Sequence, residues 1–288
     1  MITSVIFSKN RPLQLDLCLK SINQNFKDSS DNVVIYKCDE RYSKAYHDLR
    51  YEHKNNAEFL YQYDSLFSDI LSTIKTSDND YICFFTDDDI VYRPTPDLNE
   101  GVLDDLFNNP SFDVCCLSLR MGRNICSRFH NGQHFREIPP QQGVVYNKTF
   151  LAWPKTNCLY GSYWSYSLSV DGHIFKKQDI KGMMKELCYL EPLLKWKQNP
   201  NELESALQRF WTITGNTMSS PIESCVVNSP NNRTSESCEE NMSGEYFNFS
   251  EVDLRNKFMD GKRIDLNKIN FPEINCPHTE INILEGLS

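Results

Sequence analysis

Tyr81-Ile82-Cys83-Phe84-Phe85-Thr86-Asp87-Asp88-Asp89-Ile90-Val91-Tyr92 is a short apolar run that delivers three consecutive carboxylates. An apolar segment rich in β-formers and bounded by polar residues reads as a buried strand. In open α/β sheets, ligands bind outside the carboxyl ends of the strands, which is where this strand leaves its acids. The segments on either side decide whether the sheet is of that kind.

Upstream, Ile2 to Phe7 reads as a first strand, and Ser8-Lys9-Asn10-Arg11-Pro12 is a polar turn whose proline suits the first position of a helix. In that helix Leu15, Cys18, Leu19 and Ile22 share one face. Asn32 to Cys38 is a second strand ending in Asp39-Glu40-Arg41, followed by a helix from Tyr42 to about His53. Glu58 to Tyr63 reads as a short strand. Asp64 is expected to cap a helix striped by Leu66, Phe67, Ile70, Leu71 and Ile74. Strands alternating with helices imply a parallel sheet with helices on both faces, whose ligand edge collects Ser8 to Arg11, Asp39 to Arg41 and Asp87 to Asp89.

Downstream, a short helix ends near Phe107 and Phe112 to Leu119 reads as a strand, after which the alternation fades. Arg120 to Gln142 is rich in Gly, Asn, Arg and His, as loops around a site are. Trp153, Tyr160, Tyr163, Trp164 and Tyr166 surround Gly161, either as aromatic core or as a stacking surface. Ser165 to Val170 is expected as a strand, Asp171-Gly172 as a turn and Lys177 to Leu190 as a helix. Asn199-Pro200-Asn201-Glu202-Leu203-Glu204 reads as a cap opening another helix. A further strand is expected over Ile222 to Val227, and Phe271 to Ile283 as a strand or clasp. The expected division is 1–120 as a ligand-binding α/β half and 121–288 as an acceptor-side, carboxyl-terminal half forming one compact unit with it.

The 288 residues are 40% hydrophobic and 12% aromatic, enough for a substantial core. Thirty Lys and Arg against 39 Asp and Glu leave a net charge of −9, which disfavours a nonspecific grip on nucleic acid. Neither a leader-like start nor a long apolar span is legible, and eleven scattered cysteines without a CxxC pair read as reduced thiols. The expectation is a soluble cytoplasmic protein. Sequons at Asn147, Asn232, Asn241 and Asn248 carry no weight in such a compartment.

Alternate residues of a strand face one way, so Asp87 and Asp89 are expected to converge while Asp88 points elsewhere. Three unpaired acids repel each other, and a hard divalent cation relieves that repulsion. A solvated acidic turn is the simpler alternative.

With Asp87-Asp88-Asp89 following a β-α-β-α array, the sequence resembles the GT-A glycosyltransferases, whose DxD motif holds Mn2+ or Mg2+ against a nucleotide-sugar diphosphate. The resemblance covers roughly residues 1 to 120. It implies a GT-A-like, Rossmann-type, mostly parallel sheet with a smaller mixed acceptor-side region. It also implies transfer of a sugar from a UDP- or GDP-linked donor to a glycan or other hydroxyl acceptor. Carried over, Ser8, Arg11 and Asp39 line the nucleoside and phosphates, Asp87 and Asp88 border the donor, and the metal falls to Asp89 and Asp87 with His278. For the base, the matching positions leave Glu204, Asp171 and Glu202, since the family's usual Glu-Asp pair is absent.

Asp87-Asp88-Asp89-Ile90-Val91 also fits the DxDx[TV] pattern of haloacid-dehalogenase-like phosphatases, with Asp87 as nucleophile and Asp89 as general acid. That family places the motif on its first strand, whereas here an array precedes it. A nucleotidyltransferase lacks support because no early glycine-rich phosphate loop is present. A non-catalytic carbohydrate-binding protein on a transferase fold is the remaining alternative.

Overall fold

The computed structural model describes residues 1–63, 65–130, 133–140, 143–232 and 243–288. The amino-terminal half runs β1 (Ile2–Lys9), α1 (Pro12–Asn25), β2 (Ser29–Lys37), α2 (Glu40–Glu52), β3 (Glu58–Tyr61), α3 (Leu66–Thr76) and β4 (Tyr81–Thr86). There follow β5 (Asp89–Val91), α4 (Glu100–Phe107), β6 (Val114–Ser118), the hairpin β7 (Ser127–His130) and β8 (Gln133–Arg136), β9 (Val144–Tyr146) and β10 (Phe150–Pro154). The chain continues through β11 (His173–Lys176), α5 (Lys177–Leu194), α6 (Pro200–Leu207), β12 (Thr217–Pro221), β13 (Val226–Asn228) and α7 (Glu251–Met259).

Among the described residues one sheet has the order β3-β2-β1-β4-β11-β6-β12-β10-β9. Strands β3, β2, β1, β4, β6, β12 and β9 run one way, and β11 and β10 run against them. This is a mixed α/β fold with a large, mostly parallel, Rossmann-like central sheet. Strand β1 is buried on both faces, as a central parallel strand must be. Helices α1 and α2 pack on each other and on α7, while α3 packs on α5. The right-handed crossover rule puts the return from β3 to β4 on the face opposite α1 and α2.

The chain leaves β1 toward β2 and β3 and then returns to β4 on the other side of β1, so the order reverses between β1 and β4. That crevice is where open sheets of this kind take ligands. The β1 to α1 connection is made by Asn10 in the left-handed region (φ 58°), followed by Pro12 in the first turn of α1. Asn10 also ties the ends of β1 and β2 together: its Nδ2 donates to Asp39 Oδ2 (2.8 Å) and its Oδ1 accepts from the Asp39 N–H (2.9 Å).

Two expectations differ from the structure. Ser165 to Val170 is not a strand: a 3-10 turn occupies Tyr163–Ser165 and the following residues are irregular, and the strand begins only at His173. The Ser165 hydroxyl bonds the Leu159 and Ser162 carbonyls, which favours the turn. The strand expected over Ile222 to Val227 forms only at its end, as β13 from Val226, in a different sheet from the preceding β12, which stops at Pro221. Between them Glu223 and Ser224 pass so close to Gly122 that a Cβ there would lie 2.3 Å from the Ser224 nitrogen. Of the strand or clasp expected over Phe271 to Ile283, the structure has the clasp, an irregular segment that touches Asn228 through a bridge at His278.

The expected cap Asp64 lies outside the described residues; the Ser65 hydroxyl accepts from the Ser68 N–H at the start of α3. Residues 121–288 supply β9 to β12 to the same sheet as the first half. Ten cysteines fall among the described residues and none is bridged. Among those residues no helix is long and apolar enough to cross a membrane.

Candidate active site at the end of β4

Strand β4 ends at Thr86, and the chain turns at Asp87 and Asp88 before β5 begins at Asp89. Strand alternation therefore does not apply across the acids, and the expectation that Asp87 and Asp89 converge while Asp88 diverges is not met. Asp87 faces β1: its Oδ2 accepts from the Ser8 hydroxyl (2.8 Å) and the Lys9 N–H (3.1 Å), and its Oδ1 accepts from Arg11 Nη1 (3.0 Å). The same Nη1 donates to Asp88 Oδ2 at 2.8 Å, and Nη2 donates to the Asn232 carbonyl. Asp89 turns inward, taking the Thr86 N–H on Oδ2 (2.8 Å) and the Asn228 amide on Oδ1 (3.0 Å).

Asn228 reaches this position because β13 pairs antiparallel with β5, Asn228 opposite Asp89. Its Nδ2 also lies 3.0 Å from Asp88 Oδ1 and 3.1 Å from Thr86 Oγ1. Two hydrogens thus serve three acceptors. On its other side, Asn228 Oδ1 accepts from His278 Nδ1 at 3.3 Å, which leaves the lone pair on Nε2, facing Arg120 Nη1 at 3.4 Å.

Arg120 Nη1 donates to Asp171 Oδ2 (2.7 Å), whose Oδ1 accepts from the Thr86 hydroxyl (3.3 Å). Asp171 is held at the carboxyl end of β4 because the adjoining Gly172 N–H donates to the Phe84 carbonyl, with Gly172 in the left-handed region (φ 65°). The Arg120 guanidinium sits 5.5 Å from the Tyr163 ring, which in turn lies 5.5 Å from the His278 ring.

The expected site residues therefore separate. Ser8, Arg11, Asp87 and Asp88 form one linked group. Asp88, Asp89, Asp171 and His278 form a second, joined by Asn228, Thr86 and Arg120. Glu204 borders the second: its Oε1 accepts from the Val170 N–H (3.1 Å), it bonds the Tyr166 hydroxyl, and its charge reaches Arg120. Glu202 sits in the first turn of α6, its N–H donating to the Asn199 cap (2.9 Å). Asp39 is exposed and held by Asn10. Arg120, Asn228 and Thr86 were not singled out from sequence. Arg120 fell within a loop read only by composition, and Asn228 at the edge of a misplaced strand.

Burial sets the electrostatics. Five carboxylates, from Asp87, Asp88, Asp89, Asp171 and Glu204, gather around two guanidiniums, Arg11 and Arg120. Burial raises Asp87 to about 6 although Arg11 opposes it, and raises Asp171 to about 7 against Arg120, with Glu204 and Asp88 adding to the rise. Asp89 is pushed well above the carboxylate range by burial and then by Asp171 and Asp88. His278 is lowered to about 3, by burial first and then by Arg120, so it is a neutral imidazole. Burial disfavours the Arg11 cation, yet Asp88 and Asp87 hold its pKa above the ordinary value.

Such an excess of buried negative charge is relieved by protonation or by a cation. Among the described residues no three His, Cys, Asp or Glu side chains form a ready-made cage. The donor set, carboxylates with a neutral imidazole beside them, fits instead an open site of one or two carboxylates completed by ligand oxygens and water.

No family model matches the chain, and no curated protein matches it in sequence. Among solved structures it is similar to a fragment of TarS from S. aureus, at 13% identity over 80% of this chain and 60% of that one, with a TM-score of 0.44. It is also similar to 4-diphosphocytidyl-2C-methyl-D-erythritol synthase from Anaerococcus prevotii, at 10% identity over 90% of this chain and 96% of that one, TM-score 0.41. A cytidylyltransferase from Leptospira borgpetersenii is 14% identical over 90% of this chain and 94% of its own, TM-score 0.39. The chain spans 60% of the TarS fragment. At such identities and scores nothing about function passes from these proteins to this one.

Proposed function

We propose that this chain is a metal-dependent glycosyltransferase that moves a sugar from a UDP- or GDP-linked donor to a hydroxyl acceptor. The observation that carries the reading is the convergence of Asp88, Asp89, Asp171 and His278 with Arg11 and Arg120 at the strand-order reversal between β1 and β4. Asp88 and Asp89 would hold Mn2+ or Mg2+ in such an open site, giving up the Asn228 amide to do so, with the neutral His278 beside them; Asp87, expected as a further ligand, faces β1 and is held there by Ser8, Lys9 and Arg11. When bound, the ion neutralises charge on the departing nucleotide diphosphate.

The chain's own residues do the rest. Arg11 offers a guanidinium suited to phosphate oxygens. It reaches them by giving up the Asn232 carbonyl and its share of Asp87 and Asp88, and Ser8 keeps Asp87 in place. Asp171, raised to about 7, is poised near neutrality to take the proton of the acceptor hydroxyl. Arg120 orients it and stabilises its charged form. Glu204 is committed to the Val170 N–H and Tyr166, and Glu202 stands at a helix start, so Asp171 is the base in this proposal.

The phosphatase alternative asks Asp87 to be a free nucleophile, and the engagement of both its oxygens by Ser8, Lys9 and Arg11 disfavours that role. Calorimetry of UDP and GDP with and without Mn2+ tests the proposal. Binding should require the metal and be lost in Asp89→Asn. Full metal-dependent binding by a folded Asp89→Asn protein would overturn it. Phosphate release from an aryl phosphate would favour the phosphatase, and neither turnover nor donor hydrolysis would favour a binding protein.

A further inference from the structure

Helix α5 leaves the amino end of β4, where Lys176 pairs with Tyr81, and its 18 residues carry it about 27 Å back to the carboxyl edge of the sheet. There it ends in an apolar cluster that the other described residues leave uncovered. Tyr189 is 78% exposed, Leu193 72% and Leu194 42%, and Pro192 is exposed beside them. Gln62 and Ser65 are fastened to this helix end, Ser65 Oγ donating to Glu191 (2.7 Å) and Gln62 Nε2 to the Gln198 carbonyl (3.2 Å).

Lys185, Lys195 and Lys197 are exposed around these side chains. Lys185, Tyr189 and Leu193 follow at i, i+4 and i+8, so they form one outward stripe. Lys195, in the left-handed region (φ 48°), ends the helix, and Lys197 follows. The acid that would spoil this charge, Glu191, is turned inward onto Ser65 and Gln198. Glu186 is the exposed acid within the stripe's span, and Asp179 lies toward the other end of the helix.

On a chain with net charge −9, a lysine-rimmed apolar cluster is a local reversal of the surface. Exposures this high belong to protruding side chains and not to a recess. Protruding leucines with a tyrosine and lysines at their rim are what an acyl and headgroup boundary accepts, because lysine stems extend along the apolar layer while their ammonium groups stay with the headgroups.

We propose that Tyr189, Leu193 and Leu194, rimmed by Lys185, Lys195 and Lys197, dock this protein peripherally on an anionic lipid surface. The carboxyl end of α5 lies toward the same edge of the sheet as Asp87 to Asp89 and Asp171. Vesicle binding needs no nucleotide, and the proposal stands apart from the transferase reading.

Sedimentation of the full chain with phosphatidylcholine vesicles, with or without about 30 mol % phosphatidylglycerol, tests it. The protein should pellet with the anionic vesicles alone and be released as salt is raised. Lys195→Glu/Lys197→Glu should weaken binding about tenfold or more, and Tyr189→Ser/Leu193→Ser should weaken it comparably at unchanged charge. These positions are exposed, and unchanged thermal unfolding would show both variants folded. Failure of the wild type to pellet, or equal pelleting by both folded variants, would overturn the proposal. So would lipid-free dimers that Tyr189→Ser/Leu193→Ser dissolves, since the face would then join two copies of the chain.

Discussion

Asn228 donates its side-chain amide to Asp89 across 3.0 Å, joining two residues 139 positions apart through the pairing of β13 with β5. The same nitrogen faces Asp88 and Thr86, and the opposite end of the side chain receives His278. Asn228 is thus a positioning residue for both halves of the acidic cluster. Asn228→Ala should cost roughly 1–3 kcal/mol, the penalty for leaving buried polar partners unsatisfied. Asn228→Asp should cost more, since it replaces a donor by another carboxylate. Urea unfolding near neutral pH checks both, and a wild-type midpoint for Asn228→Asp would remove Asn228 from this role.

The Arg120 and Asp171 pair is buried, so its members do not tolerate separation. Arg120→Met should cost about 3–5 kcal/mol, because it strands Asp171 beside Glu204 and Asp88. Arg120→Met/Asp171→Asn should recover part of that loss. A double variant no more stable than Arg120→Met would show that the pair's charge is not the reason for the cost.

Stability should carry a signature of Asp171 above the histidine range. Its folded pKa is about 7 against an ordinary 3.8, so the folded state holds the proton more tightly. The stability linked to that proton is fully present below about pH 4 and is lost as pH rises through about 7. His278 acts oppositely: lowered to about 3 from 6.5, it contributes stability above 6.5 that is lost as pH falls toward 3. The two oppose each other between about 4 and 6.5, and above that window the decline belongs to Asp171 together with Asp89, whose pKa burial also raises. Wild-type stability should therefore fall from about pH 6.5 to 8, and the fall should be shallower in Asp171→Asn. Identical slopes in chemical denaturation would refute the assignment.

If Asp171 takes the acceptor proton, Asp171→Asn should reduce turnover by about a hundredfold or more while donor affinity holds. Glu204→Gln should act mainly through Tyr166 and the Val170 N–H and cost less. Turnover by Glu204→Gln lower than by Asp171→Asn would exchange their roles.

Glu280 is buried and accepts three backbone N–H groups, from Glu245 (2.7 Å), Tyr246 (2.8 Å) and Phe247 (2.7 Å). Glu280→Ala leaves those donors without their partner and should cost about 1–3 kcal/mol. Amide exchange at residues 245–247 should accelerate while β1 and β4 stay protected. Unchanged protection there would mean that the carboxylate is not what holds this segment.

Local chemistry made much of the first half legible. The apolar stripe of α3, the proline opening α1 and the apolar run of β4 are short-range signals, and each element formed where its signal lay. The position of the acids at the end of a central strand followed from the β-α alternation before them. Their orientation did not. Period-two reasoning fails where a strand ends in a turn, so the sharing of Arg11 by Asp87 and Asp88 depended on where the chain bends after Thr86.

The partners of the acids come from far along the chain. Asn228 lies beside Asp89 only because the segment after β12 leaves the large sheet at the close passage by Gly122, and Arg120 meets Asp171 only because β11 lies between β4 and β6. A local window of sequence carries no record of such contacts, since any asparagine or arginine in a polar loop reads alike. The sequence by itself determined which strand would present the carboxylates and at which edge. The tertiary structure alone decided which groups face them, because burial and long-range pairing select the partners and thereby shift Asp171 and His278.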